Sequence, residues 1–302
     1  MGERENPEPR TRDPGLCAKP TIQDLLRDVA GRLKAAGVDR SFLDAEVLLS
    51  KASGLSRMYL LAHPETELSA DTVSKFEGWV CRRETREPLA YITGEKEFFG
   101  LCFEVTPAVL VPRPETEVLV ETAADLLKEI ANPEVADIGV GSGAVAVGIA
   151  TADPDAVVWG TDTSLVALEI ASRNAGRLGV GDRARFIEGD LLSPLVGRLF
   201  DLIVSNPPYI RTEEIARLAP EIANYEPRQA LDGGPDGLCY HRRLARDAPE
   251  YLKAGGVLAV EVGMGQARAV QELFRTGGFQ NVRSVQDYSR IERVVLGEKG
   301  RD

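Results

Sequence analysis

The sequence predicts an α/β protein: a doubly wound, seven-stranded, mostly parallel sheet, preceded by a small N-terminal helical bundle and joined to it by a linker with a β-hairpin. Three observations predict it. From Glu134 onward, apolar β-prone runs alternate with helical stretches, the pattern of a parallel sheet with helices on both faces. Between Thr21 and Val80 the apolar residues recur instead at helical spacing. Between these two regions, Gly100 separates two short β-prone runs, which suggests a hairpin.

Taken in order, residues 1–19 mix Pro, Gly and charge with little to bury, and are expected to form a disordered tail. The bundle is expected over 20–87. Its first helix carries Ile22, Leu25, Leu26, Val29 and Leu33 on one face; Thr21-x-x-Asp24 is a capping signal and Gly37 a stop. A second helix starts at Ser41 with Phe42, Ala45, Val47, Leu48 and Leu49. A short third follows Ser56 with Met58, Leu60 and Leu61, and a fourth follows Ser69 with Val73, Phe76 and Val80 inward. No polar cluster in the bundle suggests catalysis, so its expected role is substrate recognition, with a stabilising cap as the alternative. The linker spans 88–112, with Glu95–Phe99 and Leu101–Val105 flanking Gly100. In the last region, 113–302, acids at Glu115 and Glu117 open a helix and suit its dipole. Strands are expected at Val135–Ile138, Val157–Thr161, Ala184–Glu188, Leu202–Val204, Val257–Val262, Val282–Gln286 and Ile291–Leu296, the last two as an antiparallel hairpin.

Composition narrows the function. The net charge of −11 disfavours a broad grip on a phosphate backbone, which needs a basic surface. The four cysteines form no CxxC pair and the two histidines are far apart, so no metal site is expected and a reducing cytoplasm fits. No apolar run approaches the roughly 18 residues needed to span a bilayer, and the first twenty lack an apolar export signal.

Chemistry collects where strands end. Asp137-Ile-Gly139-Val140-Gly141-Ser142-Gly143 follows the first strand; glycines there let the backbone approach a ligand closely at a helix N-terminus. The spacing differs from a dinucleotide fingerprint, and Asp137 would repel a pyrophosphate while suiting a cationic amino-acid ligand such as S-adenosylmethionine. Asp162, about 20 residues on, stands where an acid accepts from ribose hydroxyls. Asp190 is placed to accept from an adenine amino group, with Leu191 over the ring. After the fourth strand comes Asn206-Pro207-Pro208-Tyr209-Ile210. Two prolines stiffen the chain and leave carbonyls free, Asn206 offers an acceptor and a donor, and Tyr209 an aromatic face. Together they suit a planar NH2-bearing group, which these residues alone leave open between an amide and an adenine.

These motifs, with Pro88-Leu-Ala-Tyr91-Ile-Thr-Gly94, Arg113-Pro-Glu-Thr-Glu117, Glu226-Pro227, Ala230-Leu231, Asp287-Tyr288 and Glu292-Arg293, resemble the bacterial protein-(glutamine-N5) methyltransferases that modify peptide chain release factors. The resemblance covers Leu89 to the end and implies a Rossmann-like class I methyltransferase. It also implies transfer of a methyl group from S-adenosyl-L-methionine to the glutamine of a Gly-Gly-Gln motif, leaving S-adenosyl-L-homocysteine. By that pattern Gly139, Val140, Gly141, Ser142, Gly143, Asp162, Asp190, Leu191 and Asn206 line the cofactor. Asn206, Pro207, Pro208 and Tyr209 hold the glutamine, with Asn206, Pro207 and Tyr209 catalytic. Arg113 and Glu117 either tie the linker to the active-site edge or pair at the helix start.

The expected partner is a release factor, with no direct nucleic-acid or membrane binding and a monomeric enzyme. The alternatives are a glutamine methyltransferase of a large-subunit ribosomal protein and an adenine-N6 nucleic-acid methyltransferase. The Arg113–Glu117 motif disfavours the first and the acidic chain the second.

Overall fold

The structure is a computed structural model that describes residues 20–301; the expected tail over 1–19 lies outside the described residues. These residues form two compact units that divide between Arg86 and Glu87.

The first unit is helical. Helix α1 (Ile22–Ala35) starts at a capping box in which Thr21 and Asp24 satisfy each other's backbone amides, and it buries Ile22, Leu25, Leu26, Val29 and Leu33. Helix α2 (Ser41–Ser53) ends on Gly54 at φ 73°, a left-handed turn that costs glycine little. Helices α3 (Arg57–Ala62) and α4 (Ala70–Glu84) are capped by the Ser56 and Ser69 side chains. Leu48, Leu49, Leu60, Phe76 and Val80 complete the core. Arg32 of α1 bonds Glu77 and Glu84 of α4, and Arg83 meets Asp44 of α2 at 2.8 Å in the interior. Of the apolar residues expected on these helices, Phe42, Met58 and Leu61 stay largely exposed. A six-residue helix such as α3 presents little more than one inward row, and Leu60 occupies it.

In the second unit the chain runs through α5 (Leu89–Thr93), β1 (Glu95–Phe98), β2 (Leu101–Glu104), α6 (Glu117–Leu127), β3 (Glu134–Ile138) and α7 (Ala144–Ala152). It continues through β4 (Val157–Asp162), α8 (Leu165–Arg177), β5 (Ala184–Glu188), β6 (Phe200–Ser205), α9 (Pro220–Tyr225) and α10 (Cys239–Asp247). Strand β7 (Leu252–Glu261), α11 (Ala267–Thr276), β8 (Gln280–Gln286) and β9 (Glu292–Glu298) close it. Strands β3 to β9 form one seven-stranded sheet in the order β5-β4-β3-β6-β7-β9-β8. Strands β3 to β7 run parallel to their neighbours among themselves, and β9 pairs antiparallel with both β7 and β8. The doubly wound sheet and its closing hairpin are therefore as expected from the alternation. Apolar layers cover both faces, one built on Leu119, Val147 and Ile149, the other on Leu244, Val270 and Phe274.

Chain order reverses between β3 and β6, which lie side by side with Ile138 opposite Ser205. The carboxyl ends of strands at such a switch point form a crevice. The Ser205 hydroxyl donates to the Ile138 carbonyl at 2.7 Å, fixing the two ends together.

The hairpin β1–β2 turns through Phe99 and Gly100, both at positive φ. Phe98 and Phe103 meet edge to face with centroids 5.9 Å apart and join the sheet's core, which makes them packing residues. Asn174 of α8 is fully buried and holds this hairpin to the glycine turn. Its Oδ1 accepts from Glu104 N, and its Nδ2 donates to the carbonyls of Glu104 and Ser142. Asn174→Ala leaves those backbone groups unpaired, so a loss of about 2–4 kcal/mol is expected in denaturant unfolding; a loss below about 0.5 kcal/mol contradicts the assigned role.

Candidate active site

The glycine turn after β3 takes its shape from β4. Gly139 N and Val140 N both donate to Thr161 O, and Gly141 N donates to Asp162 Oδ2 at 3.0 Å. Gly139, Gly141 and Gly143 have φ of 78°, 53° and 84°, a region that side-chain-bearing residues enter at a cost. A Cβ built on Gly139 or Gly141 meets no protein atom within 4 Å, whereas one on Gly143 lies 3.1 Å from Ala171 Cα. The first two glycines thus border open space and the third packs against α8.

That space is a cavity of about 240 Å³ at the carboxyl ends of β3, β4 and β6. Its wall includes Asp137, Gly139, Val140, Gly141, Ser142, Asp162, Asp190, Leu191, Asn206, Pro207 and Pro208, so it gathers most of the residues singled out from sequence. Gly143 is not on the wall, and its place in the expected cofactor set is better explained by packing at the start of α7. Tyr209 is also off this wall; it lines a smaller cavity of about 120 Å³ with Ile210, Ile222 and Leu231. Asn206 and Pro207 belong to both walls, as do Leu110, Arg113 and Ala230.

Electrostatics distinguish the acids. Asp137 is fully buried, its Oδ2 accepting from Ala146 N at 3.0 Å. Burial pushes its pKa up to about 7; the Ala146 amide opposes this and the Asp162 charge adds to it. Asp162 is held as an acceptor by Gly141 N and, through Oδ1, by Ser164 N at 2.9 Å. Asp190 lines the cavity but is exposed, and Arg243 takes its Oδ2 at 2.5 Å, so any ligand contact there competes with an ion pair. Leu191 sits at φ 51°, costly for a branched side chain, with its carbonyl held by the Thr161 hydroxyl at 2.8 Å.

Asn206 donates from Nδ2 to Thr116 Oγ1 at 3.1 Å, which leaves Oδ1, an acceptor, and the second Nδ2 hydrogen to meet a ligand. The Tyr209 hydroxyl lies 3.3 Å from Glu261 Oε1 and offers a ligand chiefly its ring. The segment is clamped from behind: Gln266 Nε2 donates to Tyr209 O at 2.9 Å, and Cβ atoms on Gly233 or Gly237 would fall 2.7 Å from Tyr209 Cα and 2.4 Å from Tyr209 O.

Arg113 and Glu117 do not pair with each other. Arg113 Nη2 donates to Glu226 Oε1 at 2.5 Å across 113 residues, and Glu117 Oε1 accepts from Phe99 N at 2.8 Å. Glu117 therefore ties the linker hairpin to α6, while Arg113, which lines both cavities, joins the start of the sheet domain to the segment after α9. Tyr91 joins this cluster with its hydroxyl on Val109 O at 2.6 Å.

Sequence reasoning missed Glu261, Thr116 and Gly233 as site residues. An acid closing the apolar run Val257–Glu261 and a glycine pair after Asp232 were the available signals, weak because neither names its partner.

Two family models match the chain: PrmC N-terminal domain over residues 24–94 and Methyltransferase small domain over 114–235. The release factor glutamine methyltransferase of Geobacter sulfurreducens is 47% identical over 280 residues, 93% of this chain and 97% of that protein. That of Caulobacter vibrioides is 44% identical, covering 89% of this chain and 93% of its relative. A methyltransferase from Pyrococcus furiosus, 22% identical, superposes with a TM-score of 0.50 over 67% of this chain and 90% of its own, a likeness of fold.

Proposed function

The chain belongs to the release factor glutamine methyltransferase family, and from that premise we propose that it methylates the side-chain amide N5 of the glutamine in a release factor's Gly-Gly-Gln motif. The single observation that carries the site assignment is that Asn206 and Pro207 wall both cavities. A donor in the larger one and an amide in the smaller one would meet there.

The larger cavity fits S-adenosyl-L-methionine by the chemistry of its wall. Gly139 and Gly141 leave room that a Cβ would fill, and the charge felt by the buried Asp137 is the negative one of Asp162. Such a wall suits a cationic ligand with ribose hydroxyls and opposes a pyrophosphate. Gly139, Val140, Gly141 and Ser142 would lie along it, Asp137 would face its cationic end, and Asp162 would accept from the ribose. Leu191 would cover the adenine, whose amino group would share Asp190 with Arg243. When bound, it supplies a methyl group activated by a sulfonium.

The amide nitrogen is a poor nucleophile because its lone pair is delocalised into the carbonyl. Asn206 Oδ1 and the Pro207 carbonyl each accept one amide hydrogen, which turns the lone pair toward the donor cavity, an effect of orientation. Pro208 keeps the segment rigid and the Tyr209 ring walls the substrate side. After transfer the nitrogen bears the new methyl group and is acidified, so one proton leaves for solvent and no strong base is needed beforehand. No helix among the described residues is long and apolar enough to cross a membrane; Cys81, Cys102 and Cys239 are free thiols, which supports placing the enzyme in a reducing cytoplasm.

Incubation with methyl-labelled donor and a release factor is expected to label the Gly-Gly-Gln glutamine and to fail when that residue is alanine. Labelling of DNA or of a large-subunit ribosomal protein in place of the release factor overturns the assignment.

A further inference from the structure

The Asn206–Tyr209 segment has little backbone bonding of its own. Pairing of β6 with β3 and β7 ends at Ser205, and backbone bonding resumes where Ile210 N donates to Leu231 O at 3.0 Å. In between, Pro207 and Pro208 carry no N–H through which they could be held, and their rings fix φ. Such a segment behaves as a stiff unit whose position is set at its ends. Asn206 is held at one end by Thr116; the other end is Tyr209.

Tyr209 is held by Gln266. This residue occupies the N-cap position of α11, yet its side chain caps no amide of that helix. It turns instead toward the end of β7. Gln266 Oε1 accepts from Gly263 N at 2.9 Å while Gln266 N donates to Gly263 O at 3.0 Å, which pins the side chain to its own turn. From there Nε2 donates to Tyr209 O at 2.9 Å and reaches Gly237 O at 3.5 Å. The two ends of the amide meet groups of opposite kind, an N–H and carbonyls, so it has one workable orientation. Neither a carboxylate nor an apolar side chain can replace it. Space at the join is tight. A Cβ on the buried Gly263 would fall 2.8 Å from Gln266 Oε1 and 3.1 Å from Tyr209 Cδ2. Gly263 is not among the glycines at positive φ, so the missing side chain there answers to contact with Gln266 and Tyr209 and not to backbone conformation. Helix α11 gives the clamp a firm base by burying Ala267, Val270 and Phe274.

We propose that Gln266 is a positioning residue for the methyl transfer. By holding the Tyr209 carbonyl and, through its turn with Gly263, the place of the Tyr209 ring, it fixes the downstream end of the segment. The direction of the Pro207 carbonyl, upstream across the locked Pro208 ring, is fixed with it. Gln266 is on the wall of neither cavity, so it acts on the transfer without touching donor or substrate. Without the clamp the segment can rotate about the ψ angles that proline leaves free. This rests on the reading that Asn206 and Pro207 receive the substrate amide.

The test compares Gln266→Glu, Gln266→Met and Gly263→Ala with the unaltered enzyme on a release factor. Gln266→Glu keeps the length and the acceptor for Gly263 N but sets a carboxylate oxygen against Tyr209 O. Gln266→Met keeps the length and neither bond. Both are expected to lower kcat roughly 30- to 100-fold, the scale on which a displacement of about 1 Å remote from the chemistry acts. The release factor KM and the affinity for S-adenosylhomocysteine should stay within about threefold. Gly263→Ala should lower kcat in the otherwise unaltered enzyme by pushing the Gln266 amide aside, and should cost less than about threefold further when added to Gln266→Met, where that bond is already gone. Three results each overturn the positioning role while leaving the glutamine reading intact: full kcat in Gln266→Glu, additive losses from Gly263→Ala and Gln266→Met, or a fall in S-adenosylhomocysteine affinity that matches the fall in kcat. Failure of the unaltered enzyme to label the release factor overturns both.

Discussion

Asn206→Ala is expected to lower kcat by about a thousandfold, the scale on which a misplaced reactant loses its oriented geometry. The variant should keep the fold and most of the donor affinity. Asn206 sits in the loop immediately after β6, and its Nδ2 makes one side-chain hydrogen bond, to Thr116. The sheet registers that hold β6 to β3 and β7 end at Ser205 and do not use the Asn206 side chain. The larger cavity would lose one of many wall residues and the smaller would lose its acceptor. Single-turnover kinetics with the donor titrated separately distinguishes the two effects. A thousandfold loss of donor affinity with kcat preserved, or an unfolded variant, would show that Asn206 is a cap for the strand end and not the group that meets the substrate.

The second large effect belongs to Asp137. Its carboxyl, half ionised near pH 7 because burial raises it, gains a counter-charge when a cationic donor binds, and binding then favours the ionised form. The affinity for S-adenosylmethionine should accordingly rise about tenfold per pH unit below 7 and level off above it, with proton release on binding in the lower range. In the ligand-free protein the sign is opposite. A carboxyl with a folded pKa above its unfolded value contributes stability in full below about 4, lost as pH rises through about 7. Asp137→Asn should flatten the binding profile and weaken affinity by about 2–4 kcal/mol, the cost of leaving a buried charge without its partner. Calorimetric titration in two buffers of different ionisation enthalpy measures both. A pH-independent affinity in the unaltered protein would mean that Asp137 serves only to hold Ala146 N at the start of α7.

Much of this architecture was legible because its determinants are local. The Thr21–Asp24 box, the serines before α3 and α4, and the apolar spacing of α1 announce helices within a single turn of chain. The strand limits fell within a few residues, except at β7, which starts at Leu252, five residues before the expected Val257. Gly255 and Gly256 lie before that expected start, yet the strand runs through them because Leu252 pairs with Phe200 across a bulge. The apolar exposure of Phe42 and Met58 was likewise hidden, since periodicity ranks faces and does not say how many will find cover.

By itself the sequence determined the chemistry on offer: a stiff Asn206-Pro207-Pro208-Tyr209 segment after a strand, a glycine turn behind a buried acid, and further acids at the next strand ends. Each of these is written in consecutive residues, whose covalent order fixes their proximity. Only the tertiary structure decided which residues wall the two cavities. Thr116 lies 90 residues from the Asn206 it bonds, Glu226 lies 113 from Arg113, and Glu261 lies 52 from Tyr209. Nothing in a lone Thr or Glu names a partner at such a distance, because sheet packing brings the pair together and burial then sets the strength of the contact.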